Sequence, residues 1–110
     1  MPAMASLRMT TPRRLVLQAL LRDPEQERYG LDLAIEAGLE PGTIYPILVA
    51  FEGAGWLSSR NEDEGDAREQ GRPSRRYYRL TGAGVTAGRE ALAASSKRRA
   101  ARPASGELAW

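Results

Sequence analysis

The chain has 110 residues, is 42% hydrophobic and 27% charged, and carries a formal net charge of +2. Those proportions describe one soluble globular domain with a modest core. Cysteine and histidine are both absent, which excludes disulfides, thiolate nucleophiles, imidazole acid–base chemistry and the common zinc sites.

Carboxylate-only hydrolysis or magnesium chemistry would need acidic residues gathered in a pocket. None gather that way, so the chain reads as a non-enzyme with no cofactor and no metal. No apolar run approaches the roughly 20 residues of a membrane span. Residues 1–10 lack the continuous apolar core of a signal peptide. A cytoplasmic location is the expectation. Residues 1–60 have a net charge of −1, residues 61–80 of zero and residues 81–110 of +3. Overall charge is therefore a weak argument for nucleic acid, and local clusters must carry that case.

Residues 1–10 are expected to form a flexible arm. A first helix follows Thr11 as N-cap, with Pro12 at its first position. Leu15, Val16, Leu17, Ala19, Leu20 and Leu21 make it apolar on more than one side, which suits burial between a core and a partner subunit. Asp23-Pro24 ends it. After a loop, Tyr29-Gly30 leads into a short second helix over 31–37, with Leu31, Ala34 and Ile35 facing inward and Gly38 closing it. A short turn then leads to a third helix, the order of a helix-turn-helix. Any small three-helix core with a tight turn would read the same way.

The third helix runs from Pro41 to about residue 54. Ile44, Ile47, Leu48 and Phe51 form the i, i+3, i+4, i+7 stripe of a buried face. Its other face, with Thr43, Tyr45, Pro46, Val49 and Ala50, carries no charge apart from Glu52. Such a face suits contact with a partner. It equally suits a plain surface helix whose tyrosine covers a neighbour.

Residues 56–60 and 74–80 read as two strands, with Tyr78 and Leu80 on one face and Tyr77 and Arg79 on the other. The loop between them is long for a hairpin. Its first half holds Glu62, Asp63, Glu64, Asp66 and Glu69. Its second half and the returning strand hold Arg72, Arg75, Arg76 and Arg79. The arginine block is expected to face DNA and the acidic block to turn away. The alternative is that the halves pair with each other as a solvated ion-pair cluster.

Thr81 caps a last helix, from Gly82 to about residue 99. Val85, Gly88, Ala91, Leu92 and Ser95 share a side, which suits close approach of another helix. This is read as a dimer contact, with Leu17, Leu21, Val85, Gly88 and Leu92 as its residues. A glycine-weakened surface helix is the alternative. Trp56, at a strand start, is expected in the core. Residues 101–110 are expected to be a disordered tail, and Trp110 has no assigned role.

The fold class that follows is α+β, mainly α. It comprises a winged helix-turn-helix over residues 11–80, with three helices and a two-stranded wing, and a C-terminal dimerisation helix over residues 81–100. The third helix would enter the major groove. Gly42 and Thr43 at its start would bond a phosphate or base edge, and the Tyr45 hydroxyl a phosphate. Pro46 lies on the same face, and Val49 or Ala50 would touch a thymine methyl. Arg72, Arg75 and Arg76 would hold the flanking backbone or reach the minor groove.

Four pieces also carry a family likeness. Tyr29-Gly30-Leu31-Asp32-Leu33 resembles the opening of the second helix in PadR-type transcriptional regulators. Leu39-Glu40-Pro41-Gly42-Thr43-Ile44-Tyr45-Pro46-Ile47-Leu48 resembles their recognition-helix signature. Gly55-Trp56-Leu57 resembles the start of their first wing strand. Gly71-Arg72-Pro73-Ser74-Arg75-Arg76-Tyr77-Tyr78-Arg79-Leu80-Thr81 is similar to their second. The resemblance implies a homodimeric repressor of palindromic operators on double-stranded DNA, released by a small apolar or aromatic effector. The single short C-terminal helix resembles the smaller branch of the family. Where relatives commonly carry Lys or Arg after the tyrosine–proline pair, this chain has Val49, Ala50 and Glu52, so bidentate guanine readout from this helix is not expected. A winged-helix module for protein partners, an adaptor or antirepressor without sequence-specific DNA binding, is the alternative function. The weakly basic third helix favours it, and the arginine-rich strand disfavours it.

Overall fold

A computed structural model describes residues 7–101, and the side chains of residues 7–98. The outer parts of the expected arm and tail, with Arg102 and Trp110, lie outside the described residues. Helix α1 (Thr11–Leu21) is capped by Thr10, one residue earlier than expected. The Thr10 hydroxyl accepts from the Arg13 amide at 3.3 Å. Pro12 then falls within the first turn, where its missing N–H costs nothing. Leu7 and Met9 pack against the core, so the expected arm is anchored at its inner end.

Strand β1 (Arg28–Tyr29) replaces part of the expected loop. Two residues are too few to show a period, and the first of them is a buried arginine. Arg28 is 5% exposed, its Nε lies 3.3 Å from Glu36, and its guanidinium donates to the Leu20 carbonyl at 3.3 Å.

Helix α2 (Gly30–Ala37) buries Gly30, Leu33, Ala34 and Ala37. The expected inward set is thus corrected. Ala34 is buried, but Leu31 is 42% and Ile35 72% exposed. The face that packs is the one with small residues, because glycine and alanine let α2 approach α1 and α3 closely. Chain hydrophobicity alone favoured the wrong face. Ile35→Lys is therefore expected to change stability by less than about 0.5 kcal/mol, and Leu33→Ala to cost about 2–5 kcal/mol. Urea unfolding of the two variants checks this.

Gly38, at φ 71°, ends α2, with the Leu39 amide donating back to the Ala34 carbonyl at 2.8 Å. Helix α3 (Pro41–Gly53) buries Ile44, Ile47, Leu48 and Phe51, as its stripe predicts. Trp56 is buried and stacks on Phe51 with ring centres 5.3 Å apart.

The sheet has three strands, not two, in the order β1, β3, β2, all antiparallel. Strand β2 (Leu57–Asn61) pairs with β3 (Arg76–Leu80), with Leu57 opposite Leu80 and Ser59 opposite Tyr78. β1 adds to the free side of β3, with Arg28 opposite Tyr78 and Tyr29 opposite Tyr77. The loop between β2 and β3, expected to be irregular, folds into a short helix, α4 (Glu64–Glu69). The Asp63 carboxylate accepts from the Asp66 amide at 3.1 Å, and Ala67 is buried.

Helix α5 (Gly82–Ala101) is capped as expected by Thr81, whose hydroxyl accepts from the Gly84 amide at 2.8 Å and donates to the Gly55 carbonyl at 2.8 Å. Its small residues serve contacts within the chain. A Cβ on Gly88 would lie 3.1 Å from Leu17 Cδ2 and 3.8 Å from Leu21 Cδ1, so α5 rests on α1. Of the residues assigned to dimerisation, Leu17 is fully buried in the core and Gly88 is buried too. Leu21, Val85 and Leu92 are half-buried against the core.

Candidate nucleic-acid interface

Packing α2 and α3 through the Gly38-Leu39-Glu40 turn turns one face of α3 outward. Gly42, Thr43, Tyr45, Pro46 and Val49 are all exposed there, Val49 to 69% and Tyr45 to 44%. Pro46 sits inside the helix without an N–H to give. The face is open, and the Tyr45 ring also covers a neighbour, Gly30. Glu52, the one charge, bends towards the sheet. Its carboxylate accepts from the Ser59 hydroxyl and lies 3.9 Å from Arg76.

The wing divides the arginine block between the two faces of the sheet. Side chains alternate along a strand, so Arg76 shares a face with Tyr78 and Asn61, next to α3. It donates to the Asn61 side chain at 2.8 Å. Arg75 lies on the other face, with its guanidinium 4.1 Å from the centre of the Tyr29 ring. Tyr29 meets Tyr77 edge-on at 6.2 Å, and Arg60 lies 5.0 Å from the Tyr77 ring centre. Arg60 is in turn held by two 2.7 Å bonds to Glu27. Guanidiniums over tyrosine faces and a bidentate carboxylate are the geometries arginine favours.

Arg72 is not free. It donates to both oxygens of Glu62, at 2.5 and 2.7 Å. Glu62 also accepts from the Arg75 amide at 3.1 Å. These donors hold the Glu62 carboxyl down at about 2, with the Arg72 bonds the main cause, and the same pair pushes Arg72 up. Glu27 is lowered by its bonds from Arg60. The two halves of the loop thus do pair at this point, as the ion-pair alternative had it. The pair closes the base of the α4 loop and orders the wing.

The sign of the pH dependence follows. Glu62 titrates below its ordinary 4.5 when folded, so its contribution is present above that value and declines as pH falls from 4.5 towards 2. Glu62→Gln is expected to remove that part of the acid sensitivity. Unfolding midpoints measured from pH 5 to 2 check it, and identical pH profiles for the two proteins would refute it.

Glu27, Tyr29 and Arg60 were not picked out from the sequence because their partners lie 17 to 48 residues away. The only local hint is the alternation of charge and tyrosine through residues 75–79. Among the described residues no cluster of acidic side chains could hold a metal ion, and no helix is long and apolar enough to cross a membrane.

Three helices, a short antiparallel sheet and a hairpin wing beside the third helix make a winged helix. Residues 16–93 match the transcriptional regulator PadR-like family. The chain belongs to this family. No curated protein sequence matches it significantly. A PadR family transcription regulator from a hypervirulent Clostridium difficile has a similar structure, with a TM-score of 0.62 at 19% identity, covering 92% of this chain and 100% of that one. PcaV, a transcriptional regulator from Streptomyces coelicolor solved with its natural ligand, superposes with a TM-score of 0.60 at 27% identity, covering 96% and 71%. A variant of ZitR from Lactococcus lactis gives 0.59 at 16% identity, covering 84% of this chain and 56% of that one. The PadR-like chain thus spans little more than half the length of ZitR. The fold of this chain is that of PadR-family transcription regulators.

Proposed function

We propose that the chain is a homodimeric repressor that acts in the cytoplasm and binds a palindromic operator. The observation that carries this reading is the arginine-bearing wing, with Arg75 stacked over Tyr29 and Arg76 exposed, set beside the open outer face of α3. In this reading α3 lies in the major groove. Gly42 and Thr43 address a phosphate or base edge, and Tyr45 donates to a phosphate. Val49 or Ala50 meets a thymine methyl group, with Pro46 on the same face. Arg75 and Arg76 reach the flanking backbone from opposite faces of the wing, while Arg72, tied to Glu62, braces it. Readout leans on methyl contacts and DNA shape rather than on charged side chains from α3.

Two copies would place their α3 helices about one DNA turn, roughly 34–36 Å, apart. The half-buried Leu21, Val85 and Leu92 along α1 and α5 are the apolar surface left for a second copy. A small effector would sit in the open cleft of about 760 Å³ lined by Pro24, Leu80 and Val85 with Arg79 and Arg89.

Fluorescence anisotropy on DNA from upstream of the chain's own gene, run across a salt series, tests the reading. Saturation at two chains per palindrome, preference over random DNA and a steep loss with salt are expected. Binding no tighter than to random DNA, on that fragment and on duplexes selected from a random library, would refute it.

A further inference from the structure

Gly30 opens α2 and is buried, with the Tyr45 ring seated directly on it. A Cβ built at Gly30 would lie 2.6 Å from Tyr45 Cε1, and 2.9 Å from both Cζ and the hydroxyl oxygen. Carbon atoms in contact sit about 3.5–4.0 Å apart, so a side chain at this position and the present seat of the phenol exclude each other. The backbone itself makes no such demand. Gly38, Gly55 and Gly71 adopt positive φ, whereas Gly30 does not. It stands in the first turn of a helix, where alanine is the better residue. What the glycine accommodates is the ring of Tyr45.

We propose that Gly30 is a positioning residue for DNA recognition. By lacking a side chain it seats the Tyr45 phenol against the start of α2, and so aims the hydroxyl at a DNA backbone phosphate. The inference rests on α3 being the DNA-facing helix. Gly30 itself makes no DNA contact in this scheme. The seat removes rotamer freedom from an exposed tyrosine before DNA arrives, so less conformational freedom is lost on binding. Because the clash falls on the far end of a side chain, alanine at this position moves the ring and leaves the fold in place.

The test uses the full chain and a duplex enriched by the wild-type protein from a random library, with affinity read by anisotropy. Gly30→Ala, Tyr45→Phe and Tyr45→Ala are each expected to weaken binding of the dimer about 100-fold, the scale of one hydrogen bond to a charged group in each of two subunits. The melting temperature of Gly30→Ala should equal or exceed that of wild type. Gly30→Ala combined with Tyr45→Ala should bind no more weakly than Tyr45→Ala alone, because the two changes remove one contact. NMR provides a check that needs no DNA. The Gly30 α-protons should be shifted by the Tyr45 ring in wild type and return to ordinary values in Tyr45→Ala. Wild-type affinity for Gly30→Ala, a loss fully additive with Tyr45→Ala, or unshifted α-protons would each overturn the proposal. If the Tyr45 variants bind like wild type while arginine variants of the wing lose binding, the DNA reading stands and the positioning role falls. If no duplex is enriched, both fall.

Discussion

Gly84→Ala is expected to cost about 3 kcal/mol or more, at or beyond the upper end of what overpacking usually costs. A Cβ on Gly84 would run into the carbonyl oxygen, carbonyl carbon and Cα of Trp56. These are backbone atoms at the entrance to β2, fixed by the Trp56 amide bond to Phe51 and by the Thr81 amide bond to the Trp56 carbonyl, both 2.9 Å. They cannot rotate away as a side chain can. The alanine must lift the start of α5 off the sheet, which uncovers Val85 and the core beneath. Two other glycines of the same helix provide the scale. Gly82 faces open space, so Gly82→Ala should stay within about 0.5 kcal/mol of wild type. Gly88 meets only the ends of Leu17 and Leu21, which can shift, so Gly88→Ala should fall between the two. Urea unfolding followed by circular dichroism gives all three values. A wild-type midpoint for Gly84→Ala would mean that α5 does not dock on Trp56.

Replacing Arg75 and Arg76 together by alanine is expected to weaken operator binding on the order of 100-fold at physiological salt. In a dimer the double substitution removes up to four cations from the phosphates. The slope of log affinity against log salt should then become shallower by up to about 4. Stability should fall by only about 1 kcal/mol, because Arg76 is exposed and half-buried Arg75 gives up no more than its place over Tyr29. Arg72→Ala should differ in kind. Its guanidinium is already held by Glu62, so its loss should loosen the α4 loop and lower the salt slope less than the other two do. Anisotropy titrations at four salt concentrations separate these outcomes. An unchanged slope for the double variant would remove the wing from the phosphate backbone.

The third helix was legible in full. Its buried stripe recurs at helical spacing, Pro41 opens it, and Gly53 and Gly55 close it, so every cue lies within one short stretch. The hairpin strands were legible for the same reason, since alternation in Tyr77-Tyr78-Arg79-Leu80 is a local pattern. The exposed face of α3 and the arginine block could likewise be picked out as candidate contacts.

Other features depended on partners far along the chain. In α2 the sequence offered two apolar faces, and the more hydrophobic one, with Leu31 and Ile35, lost to the one that lets helices approach. β1 exists because β3 offers it a free edge, and α4 because Asp63 caps a turn that buries Ala67. Composition by itself excluded thiol and imidazole chemistry, and periodicity determined the three core helices, the last helix and the wing hairpin, because each of those patterns lies within a few positions of chain. Tertiary structure alone decided that Arg72 pairs with Glu62, that Arg75 and Arg76 part to opposite faces, that Leu17 and Gly88 are used inside the chain, and that Gly30 makes room for Tyr45. Each of those outcomes is set by atoms brought together across 10 to 71 residues of chain, and no local pattern carries that information.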